Sequence, residues 1–375
     1  MKKTQVALAA LALVASTAAL ADGVTIYGAV DAAVAHANNS KGTYFDGTGA
    51  WTAPTHLGFK GSEDLGSGMK ASFQYETGVS LGNGAAVSGG SGGGTLDKNG
   101  MGALFTRIAT VGLSGEFGAL TFGQQLSPYI VTQVVGAGAG MGPGQYFVNR
   151  MILSGYGAAA VNVSGVTAVG SGVLKSGSVF NYDGFFIPNA INWASPSFNG
   201  WTVNVMTTTK GGATDGVIST QADSDSYQAY TLSGAIGPVG VGAGYHTRKN
   251  TSNGMSAYGS LPLTSDLTLV ANYTKEDATK AGGLEIGSTS VFVNYKLSDP
   301  LSVQAAYARN DLSNASTLSN LSMKYDLSKR TSIYSIYGRG TGGADASFAN
   351  RGAMTFNTGT ASSTTNFTVG MAHSF

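Results

Sequence analysis

The chain has 375 residues, a formal net charge of +1 and no cysteine, which excludes disulfides and thiolate metal sites. Only 11% of the residues are charged, against about 25% in soluble domains, while 10% are aromatic and 42% apolar. That balance excludes a disordered chain and gives no basic footprint for nucleic acid. The 56 glycines complete the picture of a β-rich protein with much of its surface turned away from bulk water.

At the N-terminus Lys2 and Lys3 precede an almost unbroken apolar run from Val6 to Leu20, and Ala19-Leu20-Ala21 has the small-x-small form of a cleavage site. Residues 1–21 therefore read as a signal peptide cleaved before Asp22. The run is shorter than the roughly 18–20 residues that span a bilayer, and no later run approaches that length. Any membrane role must then use strands.

From residue 22 onward the chain alternates between two kinds of segment. Met69, Ala71, Phe73 and Tyr75 point one way, and Lys70, Ser72, Gln74 and Glu76 the other. Val291, Val293, Tyr295 and Leu297 oppose Ser290, Phe292, Asn294 and Lys296, and Leu321, Met323, Tyr325 and Leu327 oppose Asn320, Ser322 and Lys324. Phe367, Val369, Met371 and Phe375 oppose Thr368, Gly370, Ala372 and Ser374. Side chains of a strand alternate between faces, so each segment has one apolar and one polar face.

Between these segments, short connectors are expected at 63–68, 115–118, 195–200, 236–239, 263–266, 298–300 and 327–331. Longer ones are expected at 37–54, 80–103, 126–189, 210–225, 249–255, 276–287, 310–316 and 340–362. Short and long strictly alternate, and seven turns with eight loops imply about sixteen strands. An even number of strands, with turns at one end and loops at the other, is the pattern of an outer-membrane barrel. The expected fold is all-β: a transmembrane antiparallel β-barrel over 22–375, with short periplasmic turns and long external loops. Closure is forced, because backbone amides in hydrocarbon have no water partner. A barrel of this width cannot be filled by side chains and holds water. A soluble β-sandwich would carry more surface charge, and a β-solenoid would show a short fixed repeat, which is absent.

Several stretches resemble the general porins of β-proteobacteria. Val24-Thr25-Ile26-Tyr27-Gly28-Ala29-Val30-Asp31 is similar to their first strand, and Leu57-Gly58-Phe59-Lys60-Gly61-Ser62-Glu63-Asp64-Leu65-Gly66 to their second strand and first turn. Leu104-Phe105-Thr106-Arg107 running into Val111-Gly112-Leu113 resembles the fourth strand. Ser195-Pro196-Ser197-Phe198-Asn199-Gly200 and Leu327-Ser328-Lys329-Arg330-Thr331 resemble later turns. The terminal Phe375, after an alternating strand, resembles the signal read by the barrel assembly machinery.

The resemblance implies a sixteen-stranded homotrimer in the outer membrane of a Gram-negative bacterium. It would sit among outer-membrane lipid and lipopolysaccharide and pass small hydrophilic solutes and ions by passive diffusion. Residues 126–189 would be the inward-folded third loop that narrows the pore. Acids on that loop would face bases on the wall, and here Asp183 is its one acid, with Arg150 and Lys175 basic. Lys60 and Arg107 match basic wall positions, and Lys70 lies on the polar face of its strand. The chain departs from the pattern where Thr55-His56 precedes Leu57-Gly58, where Gln124 follows Gly123, and where Phe185-Phe186-Ile187-Pro188 precedes Asn189. His56 and Gln124 then stand at pore-lining positions usually held by bases, and the basic ladder is thinned. A weakly charged eyelet favouring neutral or mildly hydrophobic solutes is the expectation.

Other chemistry is weak. The histidines His36, His56, His246 and His373 have no zinc-helix spacing, and no cofactor or metal site is expected. Gly89-Gly90-Ser91-Gly92-Gly93 matches G-x-S-x-G only formally, within low-complexity sequence. Asp223 and Asp225, with Glu276 and Asp277, fall in expected external loops, where a divalent cation bridging lipopolysaccharide would suit them, although solvated loop charge is the simpler reading. A barrel enzyme would need Ser/His or Asp/His groups converging on a rim, and no spacing suggests them. An adhesin or receptor surface on the loops is the third alternative.

Overall fold

The computed structural model describes residues 22–38, 42–47, 54–87, 104–136, 186–209, 226–249, 252–277, 285–311, 317–341 and 363–375. Residues 1–21, the expected signal peptide, lie outside them. The chain forms β1 (Asp22–Ala37), a short β2 (Gly42–Asp46), β3 (His56–Gly66), β4 (Met69–Val79), a two-residue β5 (Ala86–Val87), β6 (Ile108–Gly115) and β7 (Gly118–Leu126). Helix α1 (Pro128–Gly136) follows. Then come β8 (Phe186–Ala194), β9 (Thr202–Thr208), β10 (Tyr227–Ile236), β11 (Val239–Arg248), β12 (Ser252–Pro262) and β13 (Leu267–Asp277). The chain ends with β14 (Glu285–Lys296), β15 (Leu301–Asn310), β16 (Thr317–Asp326), β17 (Thr331–Thr341) and β18 (Thr364–Ser374).

These segments form one antiparallel sheet in which β1 pairs with β18, so the sheet is closed. β2 and β3 share one edge of β1, pairing Val34 with Phe45 and Ile26 with Phe59. In the same way β5 and β6 share an edge of β4. Eighteen segments less these two extensions leave sixteen staves. The closing seam carries its own lock. Gly28 and Phe375 exchange backbone hydrogen bonds of 3.1 and 3.0 Å. Tyr334 of β17 reaches past β18 to donate its hydroxyl to the buried Asp31 of β1.

Exposure alternates along each strand in the reverse of a soluble protein. On β15, Gln304, Ala306, Ala308 and Asn310 are sheltered while Ala305, Tyr307 and Arg309 are exposed. On β16, Asn320 and Ser322 are sheltered, and Leu321 and Met323 are exposed. In a closed cylinder the sheltered row is the inner one. The polar row therefore faces the lumen, and the apolar row faces outward, where hydrocarbon would accept it.

The turn between β3 and β4 shows how local sequence sets the short end. Gly66, Ser67 and Gly68 all have positive φ, 81°, 53° and 76°, a path that glycine follows without steric cost. Asp64 fixes its start by accepting from the Gly66 amide at 2.8 Å.

Four loop expectations change. Connectors 37–54 and 80–103 contain β2 and β5. The expected loop 249–255 is a tight hairpin, because β11 runs to Arg248 and β12 starts at Ser252. Glu276 and Asp277 end β13 instead of lying in a loop. Their charge suggested a loop, but Glu276 points inward to partners that only the fold supplies. Asp223 and Asp225 lie outside the described residues.

Candidate functional site

Two carboxylates organise the inner wall. The first is Glu76 of β4, which shares its row with Gly58 of β3 and Gln74 of its own strand. It accepts from the Arg107 Nε and, at 2.9 Å, from the Tyr27 hydroxyl. His56 Nε2 stands 3.9 Å from it, and the other ring nitrogen donates to the Pro54 carbonyl at 2.7 Å. Gln74 donates to the Tyr27 oxygen at 2.6 Å. Lys60 places its ammonium 5.0 Å from the Tyr27 ring centre, and the Arg107 guanidinium lies 4.7 Å from the Phe186 ring. Two cations and one carboxylate thus share this patch, and Glu76 offsets much of the Arg107 charge.

The second is Glu276 of β13, buried where α1 meets the wall. Ser127 and Pro128 start this helix in the expected way. The Ser127 hydroxyl accepts from the Tyr129 amide at 3.2 Å, and proline at the first helical position loses no hydrogen bond. The helix then packs on the inner face of β9 to β13. Tyr129 and Ile130 join Ile187, Ala190, Met206, Tyr227 and Ala229 in a buried cluster. Each large side chain there contributes roughly 1.5–3 kcal/mol by burial.

At the centre of this contact the Tyr129 hydroxyl donates to Glu276, and His246 Nε2 lies 2.7 Å from the other carboxylate oxygen. The His246 ring packs between Tyr129 and Tyr227, at 4.5 and 5.8 Å between ring centres. Tyr227 hydrogen-bonds to Ser127, and the Arg248 guanidinium lies 5.8 Å from the Tyr227 ring. Gly254 is required beside this group, since a Cβ there would overlap the Glu276 carboxylate. The network ties a helix to three strands, and Glu276 accepts from both Tyr129 and His246 in a place bulk water does not reach.

Of the residues singled out from sequence, His56, Lys60 and Arg107 come together around Glu76. Lys70 is on the same inner row of β4 but six residues nearer the short turn, about 20 Å away. Gln124 pairs with Ala109 where the register of β7 breaks between Gly123, at a φ of 112°, and Gln125. Its amide donates to the Arg107 carbonyl at 3.2 Å. Arg150, Lys175 and Asp183 lie outside the described residues. Sequence reasoning missed Tyr27, Glu76, Tyr129, His246 and Glu276 as site members. Glu76 was visible as an inner-row acid of β4, whereas Glu276 and His246 meet only through register across β12.

Comparison with known proteins agrees with this architecture. The sequence profile of the Gram-negative porin family matches residues 7–345. The chain is 42% identical over 131 residues to outer membrane porin protein 32 of Delftia acidovorans, covering 34% of this chain and 33% of that protein. It is 34% identical over 162 residues to an outer membrane porin protein of Bordetella pertussis, covering 38% of each. These alignments span about a third of the length of the curated relatives. Among solved structures, an anion-selective porin from Comamonas acidovorans superposes with a TM-score of 0.67 at 20% identity, over 94% of this chain and 99% of that one. A trimeric form of OmpT from Vibrio cholerae superposes with a TM-score of 0.57 at 14% identity, over 94% and 99%. With a profile match across most of its length and a closed sixteen-stave barrel, the chain belongs to the Gram-negative porin family of outer-membrane proteins.

Proposed function

We propose that the barrel is a water-filled channel for passive diffusion of small hydrophilic solutes and ions across the outer membrane. The observation that carries this reading is the inverted alternation: a polar row sheltered inside a closed sixteen-stave cylinder and an apolar row exposed outside. Segment 126–189 is the constriction, a reading supported by α1 packing inward on β9 to β13. A homotrimer is the assembly, in keeping with the trimeric form of the OmpT structure. Phe375 engages the barrel assembly machinery, and the outer row meets lipid and lipopolysaccharide. No enzymatic or adhesive role is needed to account for the site.

The pore is weakly selective, because Glu76 offsets the cation nearest to it on the wall. It favours neutral or mildly hydrophobic solutes over anions. Single-channel reversal potentials in a potassium chloride gradient test this. A value near zero is expected, and a large anion preference would overturn it.

A further inference from the structure

One of the four histidines stands apart from the others. His36 and His373 share the outward rows of Val34 and Met371, and His246 is sealed beneath α1. His56 lies on the inner row of β3 with Gly58 and Lys60, and its side chain is 16% exposed.

Its surroundings fix its tautomer. Nδ1 lies 2.7 Å from the Pro54 carbonyl, which can only accept, so Nδ1 carries hydrogen. In the neutral ring Nε2 is then a bare lone pair. That lone pair faces Glu76 Oε2 at 3.9 Å, too long for a hydrogen bond, and neither atom has a proton to give the other. A proton on Nε2 turns the mismatch into an ion pair.

Among the described residues, charged and titratable groups reach this ring from three sides. From β1 the Tyr27 ring meets it edge-on, 5.9 Å between centres, with its hydroxyl committed to Glu76 and Gln74. Asp31, two residues beyond Ala29 on the same strand, is taken up by the Tyr334 hydroxyl. From β4 comes Glu76, and from the segment leading into β6 comes Arg107, bound to Glu76 through Nε. On β3 itself Lys60 stands over Tyr27. With a neutral His56 the patch holds two cations against one carboxylate. With a protonated His56 it holds three cations against the same carboxylate.

We propose that His56 is the titratable specificity residue of the channel, whose protonation moves the pore from weak selectivity toward anions. Imidazole is the side chain that changes charge between about pH 5 and 8, whereas ammonium and guanidinium groups keep theirs. As pH falls through that range the wall gains one positive charge, so chloride is favoured over potassium. The proposal rests on the channel reading and adds regulation by pH at the same wall.

The test uses the full-length protein in planar bilayers. Reversal potentials are read in a potassium chloride gradient at about pH 8 and about pH 5. The chloride-to-potassium permeability ratio should rise roughly two- to fivefold on acidification at about 0.1 M salt, where one unit charge acts over about 10 Å. H56Q keeps Glu76, Lys60 and Arg107 but cannot take a charge, and should hold the alkaline ratio at both pH values. H56K is charged throughout and should hold the acidic ratio at both. A wild-type ratio that stays constant with pH, an equal movement in H56Q, or an H56K ratio equal to that of H56Q would overturn the role of His56 and leave the channel standing. Absence of any salt current would overturn the channel reading itself.

Discussion

Glu76 and Glu276 are built from the same kinds of neighbour and serve different ends. Each carboxylate accepts from a tyrosine hydroxyl, each has a histidine nitrogen facing it, and an arginine lies in each group. Around Glu76 those partners come from wall strands and the segment leading into β6, and the patch is partly open to the lumen. Around Glu276 the tyrosine comes from α1, and the whole group is closed off. The difference teaches that the same ionic vocabulary sets pore charge when it lies within one surface, and fastens one element to another when it bridges two.

The largest expected effect separates these roles. Glu276→Ala leaves Tyr129 and His246 without their shared acceptor in a buried site, a change of about 3–5 kcal/mol. Urea unfolding in lipid vesicles should report the loss, and single-channel records should become noisier as α1 loses its hold. The ion preference should not move. A variant with full stability and quiet current would remove the docking role assigned to Glu276.

A smaller effect is expected at the open patch. Glu76→Gln leaves the Arg107 charge uncompensated, so the reversal potential should shift toward anions, while Arg107→Ala should shift it toward cations. Unchanged reversal potentials in both would show that this patch does not set the pore field. The smallest effect is expected at the short turns. Lys296 donates to Asp299 at 2.7 Å across solvent and holds its carboxyl below the usual range. With a lowered pKa, any contribution is present above the ordinary carboxylate range and lost as pH falls through the lowered value. Such exposed pairs are screened, so Asp299→Asn should leave the urea midpoint unchanged between neutral and mildly acidic pH.

Much of the barrel was legible in the sequence because its physics is local. Period-two alternation and the ranking of connector lengths report directly on a closed sheet, and the seven short turns fall where strands meet. Strand ends above the membrane were less legible. Glu276 and Asp277 look like loop residues until His246, thirty positions away and two strands over, is brought beside them. The pairing of Arg107 with Glu76 was half visible, since both residues were noted without being joined. Gln124 was named by a motif offset, and nothing in the sequence marks the register break between Gly123 and Gln125 in which it sits.

The seam between β1 and β18 has a consequence for how such a chain is made. The first strand translated is bonded to the last, and Tyr334 and Asp31, 303 positions apart, meet across it. A nascent polypeptide therefore carries two raw edges until its final residues emerge, and neither can be shielded by the other. Contacts this distant form slowly, so a guardian that keeps both margins from pairing with strangers is a physical necessity until the cylinder is sealed.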